Sequence, residues 1–310
     1  MRASVLIPTF RRPSELLRCL AAVAGQTRRA DDLIVVVRDD DRDTWQTLEG
    51  LAAPALRTVT VTQPGLVHAM NAGLATVQTD IVAITDDDAA PHADWLERIV
   101  ATFETSPQIG AVGGRDVLYV GGVLQDGRAS VVGRVPPLGK HVGNHHLGYG
   151  APRDVDALKG VNGAYRTEAL RPIGFDRRLR GTGAQVYWEL SLGIALRRAG
   201  WRLVYDPSIL VDHFTAPRFD EDQRHGFNPV AMSNLAYNEA IVRLEHLSLL
   251  GRIAYVAWAV GIGTRAVPGL AQRLRFAGIE GPTAGKKYVA ALAGLRDAVR
   301  DTVAPPSSQA

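Results

Sequence analysis

Asp80-Ile81-Val82-Ala83-Ile84-Thr85-Asp86-Asp87-Asp88 sets four consecutive apolar residues just before three carboxylates. A short, unbroken apolar run closed by polar residues reads as a strand buried on both faces. Working outward, the same signature recurs upstream at 3–7, where Pro8 ends it, at 32–37 and at 57–62, and downstream at 109–112. Between these runs the apolar residues switch to helical spacing, over 13–24 (Leu16, Leu17, Leu20 and Val23, with Pro13 at the start), 44–51, 66–77 and 91–103. This alternation predicts an α/β fold, a mostly parallel sheet flanked by helices. Such sheets bind ligands beyond the carboxyl ends of their strands. There stand Thr9 and Arg11, then Asp39 to Asp41, then Asp86 to Asp88.

Residues 113–157 break the pattern. They are rich in Gly, Pro and His and have no period, and a loop this long usually serves binding. Its histidines, His141, His145 and His146, are expected in a mobile loop over a pocket. Helical spacing returns at 167–170 and 187–199, strand-like pieces at 201–205 and 209–211, and a helical pattern from about 232. Residues 305–310 read as a disordered tail.

The 310 residues, 46% hydrophobic and 22% charged, suit a globular chain with a substantial core. A net charge of +3 without a basic block argues against a nucleic-acid partner. Cys19 is the only cysteine, which excludes an internal disulfide and a cysteine metal site. Its apolar helical setting predicts a buried, inert thiol. The chain enters a strand at once, without a signal peptide, which points to the cytoplasm.

Three adjacent carboxylates repel one another unless a cation or hydrogen-bond donors compensate. In extended geometry Asp86 and Asp88 point the same way. A hard divalent cation fits such a pair, since magnesium-type ions bind through one or two carboxylates plus substrate phosphates. A solvated acidic turn before the next helix is the plainer alternative.

Ser4-Val5-Leu6-Ile7-Pro8-Thr9-Phe10-Arg11-Arg12-Pro13 resembles the opening of family-two glycosyltransferases of the GT-A fold. So do 65–74 with 80–88, Lys159-Gly160-Val161-Asn162-Gly163-Ala164-Tyr165-Arg166, Gly174-Phe175-Asp176, Gly181-Thr182-Gly183, Trp188-Glu189, 198–201, Tyr205-Asp206-Pro207 and Asp212-His213. The resemblance covers about residues 3–215. It implies a GT-A-like domain at 1–215, with a donor half at about 1–115 and an acceptor half at about 116–215, followed by a helical C-terminal extension at 216–304. It further implies transfer of a sugar, with inversion, from a nucleotide-sugar donor to a sugar, lipid-linked or other acceptor. Pro8, Thr9, Arg11, Asp39, Asn71, Asp86 and Asp87 would hold the donor. Asp39 and Asp40 compete for the base-reading place, because Arg38 stands where the first acid of the family's pair lies. Asp88 and His213 would ligate Mn2+ or Mg2+. Glu189 would be the general base, and Asn162 and Trp188 would meet the acceptor. Trp188 replaces the first acid of the usual pair, so Asp87 and Asp154 stand next in line as bases, and a catalytically inactive nucleotide-sugar binder is an alternative.

A nicotinamide oxidoreductase lacks support, because no G-x-G-x-x-G follows the first strand. A nucleotidyltransferase would want a glycine in Pro8-Thr9-Phe10-Arg11-Arg12, which has none. The apolar run 253–263 between Arg252 and Arg265 is too short for the roughly 20 residues of a membrane span. It suits a helix lying in a membrane interface, hence a peripheral place on the inner face, or equally a core or dimer helix.

Overall fold

The computed structural model describes residues 1–51, 56–136, 140–221 and 226–303. The tail expected at 305–310 lies outside them. The chain divides into two compact units: 1–134, 142–176 and 189–217 form the first, and 135–141, 177–188 and 218–310 the second.

The first unit opens with β1 (Ala3–Thr9), α1 (Pro13–Ala24), β2 (Asp32–Arg38), α2 (Arg42–Glu49), β3 (Leu56–Val61), α3 (Leu66–Thr76) and β4 (Ile81–Ile84). These four strands are parallel, in the order β3-β2-β1-β4. Both faces are apolar because both are covered. Val5, Ile7, Val35, Val37, Ile81 and Ala83 pack with Leu16 and Cys19 of α1. On the other face α3 presses so close that a Cβ on Gly73 would meet Leu6 Cδ1 at 2.3 Å. Cys19 is fully buried, and burial pushes its thiol pKa well up, which makes it inert. The chain runs outward from β1 to β3 and returns to β1's other side for β4, so the sheet switches direction between β1 and β4. Open α/β sheets form their ligand crevice at such a point.

Beyond β4 come β5 (Ala89–Pro91), α4 (Trp95–Glu104), β6 (Ile109–Val120), β7 (Val123–Leu124), β8 (Arg153–Asp154), β9 (Gly163–Arg166), α5 (Thr167–Leu170), α6 (Trp188–Arg198) and β10 (Arg202–Phe214). The sheet continues β4-β9-β6-β10-β5. β9 enters antiparallel to both β4 and β6, β10 runs parallel to β6, and β5 pairs antiparallel with β10. The sheet is therefore mixed in this half.

β6 runs eight residues past the strand expected at 109–112. Its apolar run breaks at Gly113-Gly114, where the neighbouring backbone leaves no room for a side chain. A Cβ on Gly114 would lie 1.9 Å from the Ile209 carbonyl oxygen. The two strand pieces expected at 201–205 and 209–211 are one strand, β10, with a register shift between Asp206 and Leu210.

The histidine loop is anchored to the core at His145 and His146. His145 is buried with its ring nitrogen 3.0 Å from the Ala157 carbonyl oxygen, Tyr205 OH donates to the His145 carbonyl at 2.8 Å, and Arg115 Nε donates to that of His146 at 2.9 Å. Burial lowers the His145 pKa. These contacts tie His145 and His146 to the core, which the loop's composition does not show.

The second unit carries α7 (Pro229–His246), α8 (Leu249–Gly261), α9 (Leu270–Glu280) and α10 (Pro282–Val303). α7 lies close on α10, since a Cβ on Gly294 would sit 2.1 Å from the Ser233 carbonyl oxygen. Arg180 binds Asp297 at 2.9 Å, and Asn238 accepts from the Arg180 amide at 2.7 Å. Buried Glu239 and Arg243 pair at 3.3 Å. Among the described residues no helix is long and apolar enough to cross a membrane.

Replacing Gly114 with Ala forces β6 and β10 apart. The expected cost is that of overpacking, about 1–3 kcal/mol, and the melting temperature should fall by several degrees. An unchanged melting temperature would show that the strands shift freely there.

Candidate active site

The site assembles at the switch between β1 and β4. After Thr9 the chain turns sharply, and Arg11 takes a left-handed φ of 57°, a conformation unusual for a residue with a side chain. Asp41 holds it there, accepting from the Arg11 amide at 2.5 Å while capping α2 through the Thr44 amide at 3.3 Å. The Phe10 ring lies beneath Arg38, 3.7 Å from its guanidinium carbon. Arg38 in turn grips Asp40 at 2.5 and 2.7 Å. Asp39 is exposed and makes no such pair, so of the two competing acids it is the one open to a ligand.

The three carboxylates after β4 divide. Asp87 turns inward, accepting from Thr9 Oγ1 at 2.8 Å and pairing with Arg12 Nη1 at 2.8 Å. Arg12 also donates to the Pro217 carbonyl at 3.0 and 2.7 Å. Asp86 and Asp88 face the other way, and one oxygen of each lies with a His213 ring nitrogen inside a 4.8 Å cluster. Strand pairing brings His213 there: it stands opposite Ala89 of β5, and the Phe214 and Ala216 amides bind the Asp88 carbonyl and carboxylate at 2.9 and 3.0 Å. Behind the histidine, Asp116 of β6 lies 3.7 Å from Nδ1, while Nε2 is 3.5 Å from Asp88 Oδ1.

The electrostatics follow from burial. It pushes the Asp86 pKa up to about 6, helped by Asp88, and that of Asp87 to about 6 against the pull of Arg12. Burial works against protonated His213, but its contacts with Asp116 and Asp88 outweigh it and push the imidazole to about 9. Asp88 is held below the usual range: burial raises it, and His213 and the Ala216 amide more than offset this. Asp88 Oδ1 and His213 Nδ1 are buried without a hydrogen bond. Buried polar atoms normally find partners, and an acceptor of this kind beside a second carboxylate and an imidazole suits a divalent cation. Asp86, Asp88 and His213 therefore fit Mn2+ or Mg2+, with Asp116 orienting the histidine from behind.

Glu189 sits in the first turn of α6, partly exposed, 3.9 Å from Lys159 Nζ. Its charge reaches Asp86 and helps to raise that pKa. Of the reserve bases, Asp87 is occupied by Arg12 and Thr9. Asp154 pairs with Arg202 at 2.9 Å and lies opposite Val204 on β10; the β6 partners of Val204 and His213, Val112 and Leu118, are six residues and so roughly 20 Å apart.

The other residues expected at the site lie as follows. Asn162 is buried, its amide oxygen accepting from Trp95 Nε1 at 2.9 Å and its NH2 donating to the Arg115 and Ile209 carbonyls at 3.2 and 3.0 Å. It fastens β6 to β10 and has no free group for an acceptor. Asn71 holds the backbone of Phe175 at both its amide nitrogen and its carbonyl, at 3.0 and 2.8 Å. Trp188 is buried. Asp87 serves the clamp to Arg12, and Pro8 is buried in β1. Arg12 and Asp116 escaped sequence reasoning. Arg12 had a signal, a cation directly before Pro13, but its partner is 75 residues away.

A mixed sheet with a crevice at the switch point of its parallel half, and an acid–acid–histidine cluster beside it, has the architecture of the GT-A fold. Residues 4–162 match the model of glycosyl transferase family 2, and the chain belongs to that family. It is 29% identical over 118 residues, 37% of this chain and 38% of that protein, to a glucosyl-dolichyl phosphate glucuronosyltransferase of Haloferax volcanii. It is 30% identical over 159 residues, 48% of this chain and 30% of that protein, to a pre-mycofactocin glycosyltransferase of Mycobacterium tuberculosis. The chain thus spans well under half the length of these curated relatives. In fold it is similar to a mannosyltransferase from Pyrobaculum calidifontis solved in complex with GDP-Man and Mn2+, with a TM-score of 0.54 and 19% identity over 97% of this chain and 87% of that one.

Two outcomes are expected. Asp116→Asn should weaken Mn2+ binding about 10–100-fold, the usual effect of removing a partner behind a metal-ligating histidine. Unaltered calorimetric affinity would remove Asp116 from the site. The second concerns pH. His213 has a folded-state pKa of about 9, against about 6.5 when unfolded. In the metal-free protein its stabilising contribution is therefore full below about pH 6.5 and lost as pH rises through 9. A cation must displace that proton, so cation affinity should rise roughly tenfold per pH unit between pH 6.5 and 8. Calorimetry in two buffers of different ionisation enthalpy counts the released proton, and a count of zero would exclude His213 as a ligand.

Proposed function

We propose that the chain transfers a sugar from a nucleotide-sugar donor to an acceptor hydroxyl, with inversion and with a divalent cation at Asp86, Asp88 and His213. The observation that carries this reading is the unpartnered Asp88 oxygen facing His213, with the Glu189 charge within reach of Asp86. The donor half is about 1–115 and the acceptor half about 116–215. Thr9, Arg11 and exposed Asp39 frame the nucleotide end of the crevice. A bound Mn2+ or Mg2+ supplies positive charge that stabilises the departing diphosphate. The glycosyl transferases of Haloferax and Mycobacterium and the manganese complex of the Pyrobaculum enzyme support the donor and the metal.

The residues divide the chemistry as follows. Glu189 accepts the proton of the acceptor hydroxyl. That oxygen attacks the anomeric carbon from the face opposite the leaving group, and the carbon–oxygen bond to the diphosphate breaks with its electron pair on the diphosphate. Lys159 Nζ lies 3.9 Å from Glu189 and places a positive charge beside the base. The Arg12–Asp87–Thr9 clamp fixes the turn carrying Asp86 and Asp88, which limits the reorganisation that transfer requires. The acceptor is a sugar or lipid-linked hydroxyl, reached from a peripheral position on the inner face of a membrane.

Nucleotide sugars screened by thermal shift with and without Mn2+ test the reading, because a true ligand stabilises by mass action. The outcome against it is that none stabilises in either condition. Glu189→Gln should lower transfer by about 10²–10⁴-fold, the usual contribution of a general base, with donor affinity unchanged. Lost donor binding in that variant would make Glu189 structural. Metal-dependent donor hydrolysis by the wild type distinguishes an enzyme from an inactive binder.

A further inference from the structure

The second unit carries a surface that the transfer chemistry does not use. Every exposed residue of α8 is apolar: Leu249, Leu250, Ile253, Ala254, Ala257 and Val260. From Leu250 to Val260 they recur at three- and four-residue spacing, which sets them in one stripe along the helix. Leu250 is 79% exposed and Ile253 60%. The next helix, α9, has no buried residue at all, and Leu274 and Ile279 on it are 66% and 81% exposed. Apolar exposure of this extent on neighbouring helices marks an interaction surface.

The charges say what covers it. From His246 to Ile279 there are four arginines, Arg252, Arg265, Arg273 and Arg275, and no Asp or Glu. The whole chain carries only +3, so the positive charge is concentrated here. Arg265, Arg273 and Arg275 are exposed. Arg265 and Arg275 lie 5.4 and 5.5 Å from the Phe276 ring, which keeps their stems beside the apolar residues. Glu280, the first acid after this stretch, is paired with Lys287 at 2.8 Å. A two-fold pairing of this face with a second copy would set arginine against arginine. An anionic lipid surface offers hydrocarbon for the leucines and isoleucines and phosphate for the arginines. α8 has 13 residues, about 20 Å of helix, well short of a roughly 30 Å hydrocarbon core. It can lie in the interface but cannot cross it.

We propose that the exposed face of α8 and α9 docks on an anionic lipid bilayer, with α8 in the plane of the interface and the arginines at the headgroups. The proposal rests on the peripheral position given above and assigns it to one surface. It does not depend on the metal or on Glu189.

The test is flotation of the full chain with vesicles of phosphatidylcholine alone and of phosphatidylcholine with a quarter phosphatidylglycerol. Wild type should float with the anionic vesicles and barely with the neutral ones. Leu250→Asp with Ile253→Asp, at exposed positions that the fold does not need, should lower the bound fraction at least tenfold while Mn2+ binding and melting temperature stay unchanged. Arg273→Gln with Arg275→Gln should lower anionic binding by roughly fivefold for each arginine removed. Wild type that floats with neither vesicle overturns the peripheral position and the docking face together. Anionic binding that both variants retain leaves the peripheral position standing and overturns this face. A wild-type dimer that the Leu250→Asp, Ile253→Asp variant dissolves, with no vesicle binding, assigns the face to a second copy and overturns the lipid.

Discussion

Three carboxylates stand in a row at the end of one strand, and the site is organised around keeping them there. Adjacent acids in a partly buried turn repel one another and lose hydration, so each needs its own compensation. The structure supplies it by alternation. Asp87 is turned to Arg12 and Thr9, and Asp86 and Asp88 to His213. The compensating groups come from the start of α1 and from the end of β10, so the constraint ties the beginning of the first unit to its end. Arg12 also binds the Pro217 carbonyl, the last residue of that unit.

The compensation is incomplete on one side only. Asp87 has a hydrogen bond to each oxygen. Asp88 has one oxygen satisfied by the Ala216 amide and the other facing His213 without a hydrogen bond. A protonated imidazole stands there in the metal-free protein, which is why His213 is pushed to about 9. A divalent cation held as proposed would compete with that proton for the same pair of ligands, and the protonated histidine offsets the repulsion between the two carboxylates. Asp116 contributes to both states, since its carboxylate favours imidazolium and equally orients a neutral, ligating ring.

What the sequence made legible was local in period. The apolar runs of β1, β2 and β4 and the helices between them follow from spacing alone. Asp86 and Asp88 face one way as the extended chain led one to expect, but a turn closed by the Ala89 amide on the Asp86 carbonyl sets them there. His213 was reachable through motif order. What stayed hidden depends on partners distant in sequence. Nothing near Asp116 marks it, because it stands in the half of β6 that the Gly113-Gly114 pair hides from an apolar-run reading. Asn162 looks like a polar binding residue until Trp95 and the carbonyls of two strands take up its amide. The histidines of 141–146 suggest a mobile, polar loop, yet His145 is buried against Tyr205.

The Gly113-Gly114 pair also explains why the metal-side histidine can be where it is. β6 and β10 run parallel over more than ten residues, but their register slips at Asp206 to Leu210. Only glycine lets the Ile209 carbonyl approach so closely, and Asn162 then binds that carbonyl. Without the slip, the side-chain period of two would turn His213 to the opposite face of the sheet, away from Asp88. A close backbone approach at Gly114 therefore sets which face the histidine takes. The ligand geometry depends on a packing feature that carries no chemistry of its own.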